Sequence, residues 1–216
     1  MKIINSSFEL IDKPDYKDVV SKIERIGRTC YKSEASITPE SGEEFIRKII
    51  KRGHEAMIEH ESLSVKFIVD RGVSHEFVRH RLASFAQEST RYCNYSKDKF
   101  GNEITVIDPT RYFKNSPSEP EAADAAKVWY DAMVNAEIAY NQLIALGESP
   151  QMARSVLPNS LKTEIVITAN FREWRTIAGL RTPATAHPQM REVMCPLLEI
   201  LKIEYPAFFE DILLTY

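Results

Sequence analysis

The sequence predicts one α+β domain running from residue 1 to residue 216, on three observations. Apolar residues recur at helical spacing in some segments and alternate in others, so helices and strands follow one another in mixed order. No internal repeat, low-complexity tract or linker divides the chain. A length of 216 residues suits one domain with a substantial core.

Taken in order, Lys2 to Ile11 reads as a strand, since Ile3, Ile4, Phe8 and Leu10 are apolar and Pro14 soon follows. Residues 15–29 carry Val19, Val20, Ile23 and Ile26 at helical spacing and end near Gly27. Ser41 and Glu44 have the spacing of a capping box ahead of a helix bearing Phe45, Ile46, Ile49 and Ile50, which Gly53 stops. Leu63, Val65, Phe67 and Val69 alternate with Ser62, Ser64 and Lys66 as a half-buried strand. Residues 74–83 read as helical, and 84–100, which lack a clear period, as a functional loop or broken helix. A short strand covers Glu103 to Ile107. The turn cluster from Asn115 to Pro120 leads into the longest helix, about residues 121–146, with Val128, Trp129, Ala132, Met133, Ala136 and Leu143 as its apolar face and Gly147 past its end. Ser149 and Pro150 open another helix. Lys162 to Ala169 reads as a strand, 170–180 and 188–203 as helices, and a short apolar helix closes the chain.

Composition narrows the function classes. A net charge of −3 exerts no global pull toward nucleic acid or membrane, so any anion site must be a local cluster. Cys30, Cys93 and Cys195 are far apart and odd in number, and the first residues hold no apolar leader; a reducing cytoplasm is expected. No run of about 18 apolar residues is present to span a bilayer. Neither G-x-G-x-x-G nor G-x-x-x-x-G-K-[ST] occurs among the seven glycines. A nucleotide here would be gripped by side chains, not by a glycine turn.

The densest polar signal runs from Arg79 to Tyr92 and includes Arg79, His80, Arg81, Gln87, Glu88, Ser89, Thr90 and Arg91. On a helix Arg79 and Arg81 would point about 200° apart and serve different walls of a site. Guanidiniums grip phosphate bidentately, while hydroxyls and amides read ring edges. The plainer reading is a solvated basic helix end, with Glu76 and Glu88 as salt-bridge partners. A second cluster holds Arg154, Lys162, Arg172, Arg175 and Arg181 against Glu164 and Glu173 alone, and it too reads otherwise as a basic surface. Asn170 and Arg172 directly follow a predicted strand, where a strand-to-helix junction can present side chains to a ligand. No metal is expected: His75 and His80 are one residue too far apart for H-E-x-x-H, and on a helix their rings would diverge by about 140°. Ser84 and Ser89 lack a G-x-S-x-G elbow, so no nucleophile is expected from either.

Arg79-His80-Arg81 followed after seven residues by Ser89 resembles the R-H-R-x7-S signature of the flavin-dependent thymidylate synthases, the ThyX family. The likeness continues through Arg91-Tyr92, Gly53-His54-Glu55 with Glu59-His60, Ala153 to Pro158, Asn170-x-Arg172 and Leu180-Arg181, spanning about residues 53–190. The resemblance implies a twisted, mainly antiparallel sheet flanked by helices and a homotetramer with FAD where subunits meet. It implies methylation of 2′-deoxyuridine monophosphate (dUMP) to thymidylate (dTMP), with methylenetetrahydrofolate as carbon donor, NADPH as reductant and no covalent nucleophile. Arg181 matches the arginine that stabilises the ionised pyrimidine, which makes physical sense because a fixed cation favours the anionic ring. Glu76, Arg79, Gln87, Glu88, Ser89, Thr90, Arg91, Arg154 and Arg181 fall where the nucleotide is held. His54, Ala56, Arg79, His80, Arg81, Gln87, Asn170, Arg172, Thr176 and His187 fall on the flavin side. Gln87 stands where many members have Glu, Ala56 where a hydroxyl residue contacts flavin, and Thr176 where Asn is common. The competing readings are an inactive flavin- or nucleotide-binding homologue and a nucleic-acid-binding module built on the two basic clusters.

Overall fold

Leu63, Val65, Phe67 and Val69 are fully buried, and so are Ile165 and Ile167. Period-two burial therefore defines the two longest strands, as the alternation predicts. The computed structural model describes residues 1–97, 100–113 and 120–214; the turn expected from Asn115 lies outside them, up to the first helical residue Pro120. In chain order the elements are β1 (Lys2–Ile4), β2 (Ser7–Leu10), α1 (Tyr16–Tyr31), α2 (Ser41–Lys51), β3 (Ser62–Asp70), α3 (Arg71–Phe77), β4 (Ala83–Gln87), β5 (Thr105–Ile107), α4 (Pro120–Ala145), α5 (Pro150–Ala153), β6 (Lys162–Asn170), α6 (Phe171–Arg181), α7 (Pro188–Glu204) and α8 (Pro206–Phe209). A 3₁₀ segment, Glu55–His60, precedes β3. One sheet is antiparallel with strand order β2-β3-β6-β4; β1 pairs parallel with β5, Ile3 opposite Val106. The result is a mixed helix-and-strand fold with a mainly antiparallel sheet, as the sequence predicts.

The chain forms two compact units. The first comprises Met1–Ser7, Phe67–Val78 and Ala86–Ile165. Here α4 lays Met133 and Tyr140 against Tyr95, Ile104, Val106, Ala153 and Leu161. The second comprises Phe8–Lys66, Arg79–Phe85 and the chain from Val166 on. Its core centres on Phe171, whose ring lies 5.0–5.5 Å from those of Tyr205, Phe208 and Phe209. Trp174 is fully buried beside it and donates its Nε1–H to the Leu63 carbonyl at 3.1 Å.

Several local expectations are corrected. The single strand expected over Lys2 to Ile11 breaks at Asn5 and Ser6, because its halves join different sheets. Gly27 does not end α1, which continues to Tyr31 and closes with Lys32 in the left-handed region at φ 48°. The glycine instead makes room for the Phe45 ring, 2.4 Å from where its Cβ would stand. Ser41 forms no capping box: its hydroxyl accepts the Thr38 N–H at 2.9 Å and donates to the buried Glu24 carboxylate at 2.7 Å. Gly53 does stop α2, at φ +71°. On α4, Val128 is 70% exposed and Tyr140 takes the core place expected of it. The helix opened by Pro150 lasts one turn, and the Ser149 side chain does not cap it.

Replacing Gly27 with Ala is expected to cost about 1–3 kcal/mol, since a methyl group would be forced into a packed ring. Urea unfolding of Gly27→Ala measures this. Adding Phe45→Leu should recover part of the loss, and an unchanged midpoint in the single variant would refute the close approach.

Candidate functional site

α3 ends at Phe77, its last buried apolar residue, and Arg79 to Leu82 form a turn. From Ala83 to Gln87 half-buried and exposed residues alternate, so the segment expected to be a loop or broken helix begins as strand β4. The helix expected over 74–83 instead runs from Arg71 to Phe77, and the helical separation of Arg79 from Arg81 does not arise. Both arginines are exposed in the turn, while His80 between them is 6% exposed.

The strip from Arg79 to Tyr92 meets the downstream cluster at three points, one in the second unit and two in the first. In the second unit, Arg181 donates its Nε–H to His80 Nε2 at 3.0 Å. In the first, Lys162 Nζ lies 3.0 Å from Glu88 Oε2 and 2.7 Å from Glu164 Oε1. Burial works against the Lys162 charge, but the bonds to Glu164 and Glu88 overcome it and raise its pKa. Glu88 also accepts from Tyr95 Oη at 3.2 Å and from the Glu164 N–H at 3.2 Å. Burial first, and then the Glu88 charge, push the Tyr95 phenol up. The third point is Arg154, whose Nη1 donates to Thr90 Oγ1 at 3.2 Å.

Around that third point the nucleotide-side residues gather. Arg91 Nε donates to Gln151 Oε1 of α5 at 3.1 Å, and Arg154, the residue that closes α5, donates to Thr90. Ser89 Oγ accepts the Arg91 N–H at 3.3 Å, and the Ser89 carbonyl accepts from Tyr92 and Cys93. The arrangement is a turn with two exposed guanidiniums beside it. Gln87 donates from Nε2 to Ser74 Oγ at 2.9 Å and to Thr163 Oγ1 at 3.2 Å. Glu76 is half-buried in the last turn of α3. Glu88, expected to face a nucleotide, has its carboxylate turned onto Lys162 and Tyr95.

The flavin-side residues other than Gln87 belong to the second unit. His54 Nδ1 shares a 2.5 Å hydrogen bond with Tyr31 Oη, and the two rings stack. Asn170 caps α6, accepting the Glu173 N–H at 2.8 Å. Arg172 holds Glu59 at 2.6 Å, and Arg175 holds Asp211 through both terminal nitrogens. With Lys162, three of the five basic residues expected to form a basic face are thus committed to carboxylates. Ala56, Thr176 and His187 are exposed; Thr176 donates to the Arg172 carbonyl, and His187 leads into α7.

Among the described residues no group of three or more His, Cys, Asp or Glu side chains is placed to hold a metal. A cleft of about 440 Å³ in the first unit is lined by Glu88, Tyr95, Phe100, Lys162 and Glu164. Another, of about 900 Å³, lies against α1 and α2 in the second unit and is lined by none of the nucleotide-side or flavin-side residues. Sequence reasoning missed Gln151, Ser74, Thr163, Tyr31 and Glu59 as supporting partners. Only Glu59 carried a signal, within the Glu59-His60 segment of the family likeness.

A family profile described as thymidylate synthase complementing protein matches residues 9–207. A flavin-dependent thymidylate synthase from Corynebacterium aurimucosum is 31% identical over 204 residues, covering 89% of this chain and 80% of that one. One from Mycobacterium tuberculosis is 32% identical over 204 residues, covering 89% and 79%. Among solved structures, the UMP/dUMP methylase PolB from Streptomyces cacaoi, bound with 5-Br dUMP, superposes with a TM-score of 0.79 at 22% identity, over 97% of this chain and 96% of that one. Its complex with 5-Br UMP gives 0.78 at 21% identity, over 97% and 95%. These likenesses establish a ThyX-like fold, and the sequence matches establish the family: the chain belongs to the flavin-dependent thymidylate synthases.

Proposed function

We propose that this protein methylates dUMP to dTMP, with methylenetetrahydrofolate as carbon donor, NADPH as reductant and FAD as the resident cofactor. The observation that carries the reading is the gathering of Ser89, Thr90 and Arg91 with Arg154 in a chain of this family. Each of those guanidiniums has five N–H donors and gives one to a neutral internal acceptor, which orients it without neutralising it. Such a pair beside a turn suits a nucleotide phosphate.

The residues of the second unit fit a flavin nucleotide. The exposed Arg79 and Arg81, with His54 held against Tyr31, are side-chain donors of the kind a diphosphate and a ring system take. Arg172 and Asn170 contribute through whatever donors their own pairings leave. Bound there, FAD would supply hydride chemistry. Arg181, anchored at Nε, stabilises the ionised pyrimidine by placing a fixed cation beside it. Ser89 receives a backbone N–H and serves as a ligand group, so no covalent enzyme–nucleotide bond is required. The reading treats residues 1–216 as one functional domain, working in the cytoplasm as a homotetramer with FAD at subunit interfaces.

Purified protein is expected to be yellow, with absorbance at about 450 nm, and to convert dUMP to dTMP when given the folate and NADPH. Colourless protein that cannot be reconstituted with FAD, yet binds DNA with steep salt dependence, would overturn the reading. Assaying UMP beside dUMP separates it from the substrate range named for the Streptomyces neighbours.

Arg181→Ala should abolish dTMP formation while flavin binding largely survives; wild-type turnover would remove the role assigned to Arg181. Ser89→Ala should keep measurable activity with weaker nucleotide binding. Complete loss at unchanged nucleotide affinity would make Ser89 more than a ligand.

A further inference from the structure

We propose that His80 is a positioning residue for Arg181 and not a flavin ligand: its ring nitrogens face two residues of α6, and Nε2 fixes the Arg181 guanidinium by accepting its Nε–H at 3.0 Å. The proposal rests on the reading of Arg181 as the residue that stabilises the ionised pyrimidine.

A guanidinium can only donate, so the bond requires His80 Nε2 to be unprotonated. In the neutral ring the proton then sits on Nδ1. Nδ1 faces Glu173 Oε1 at 3.6 Å, close enough to sense the carboxyl though beyond hydrogen-bond reach. Glu173 is 6% exposed, and its backbone N–H is tied to the Asn170 side chain at the head of α6. Arg181 is the last residue of that helix. One buried imidazole therefore lies between a residue of the capped first turn of α6 and its final residue, and holds the guanidinium at Nε.

The charged groups facing His80 are Arg181 and Glu173 from α6, with Arg79 and Arg81 flanking it in the turn. Burial, and then the Arg181 charge, hold His80 down to about 4, so the acceptor form prevails at neutral pH. Burial pushes the Glu173 carboxyl up. Arg172, bonded to Glu59, acts on Glu173 in the opposite sense.

Two variants of the full chain, reconstituted with FAD, test the role. Asn at position 80 is too short to present an acceptor where Nε2 stands, whereas the Gln amide oxygen reaches that far. His80→Asn is expected to slow nucleotide-dependent flavin oxidation about ten- to hundredfold, the range for losing a hydrogen bond to a charged group, with FAD affinity unchanged within about twofold. His80→Gln should restore most of the rate. A fall in FAD affinity in His80→Asn matching its loss of rate, or a Gln variant no faster than Asn, overturns the proposal.

If the wild-type protein shows no nucleotide-dependent flavin oxidation, the thymidylate reading fails, but the His80–Arg181 pair is still measurable. Imidazole ¹⁵N shifts of wild-type protein should show Nδ1–H and bare Nε2 from about pH 8 to about pH 5. An Nε2–H tautomer, or titration at about 6.5 as in a free histidine, overturns the pairing.

Discussion

Each of the two long strands caps the helix it runs into, and the positions of the chemical groups follow from those two junctions. Asp70 at the end of β3 accepts the Val73 N–H at 2.7 Å, and Asn170 at the end of β6 accepts the Glu173 N–H at 2.8 Å. A side-chain cap satisfies one of the orphan donors of a first turn and fixes where the helix starts. Burial of every second residue fixes the strand register just upstream, since a one-residue slip would turn the polar face inward. From those starts α3 runs to Phe77, just before the Arg79–Arg81 turn in the chain, and α6 runs to Arg181. Asn170 is thus occupied in part by structure, whatever else its amide contacts.

What could be read from the sequence is what neighbours in the chain determine. Strands β3 and β6 show in their alternation, and Gly53 and Gly147 mark helix ends because their φ angles, 71° and 94°, disfavour other residues. Gly27 carries the same letter for a different reason, a ring arriving from another helix, and no local pattern distinguishes the two cases. Ser41 has capping-box spacing, yet a buried carboxylate seventeen residues away claims its hydroxyl. The functional strip shows the same division. Its residue types mark it as a ligand-binding segment, but its pairings with Arg181, Lys162 and Arg154 bridge 101, 74 and 64 residues. No window along the chain contains both partners.

Pairing also changes what the basic residues mean. Five basic residues between Arg154 and Arg181 look like a charged face when only two acids share the segment. Glu59, Glu88 and Asp211 answer three of them from elsewhere in the chain. The argument for a nucleic-acid-binding module, which needs an uncompensated basic surface, weakens accordingly. The Lys162 cluster is the most constrained case, a largely buried cation between two carboxylates. Removing one member of such a group leaves a buried charge unanswered, which is generally more damaging than never having had the pair. Arg91 and Arg154 differ in kind: neutral partners orient them and leave their charge intact. That distinction, between a cation cancelled and a cation aimed, separates the structural basic residues from those suited to an anion.

Gln87 can be reasoned about in the same way. The Ser74 hydroxyl gives its hydrogen to the Arg71 carbonyl at 3.0 Å, so toward Gln87 it can act only as an acceptor. Thr163 takes the second bond from the same amide nitrogen. With both N–H groups directed inward, the side chain's remaining hydrogen-bonding atom is its carbonyl oxygen. A glutamate here would also offer an oxygen acceptor, but it would bring two oxygens and a negative charge against Ser74 and Thr163, and Ser74 could answer it only by turning its hydrogen away from the Arg71 carbonyl. The neutral amide suits this pair of hydroxyls while leaving the Ser74–Arg71 bond in place. Gln87 is therefore matched to its immediate surroundings: it brings no charge to them, and an acceptor remains.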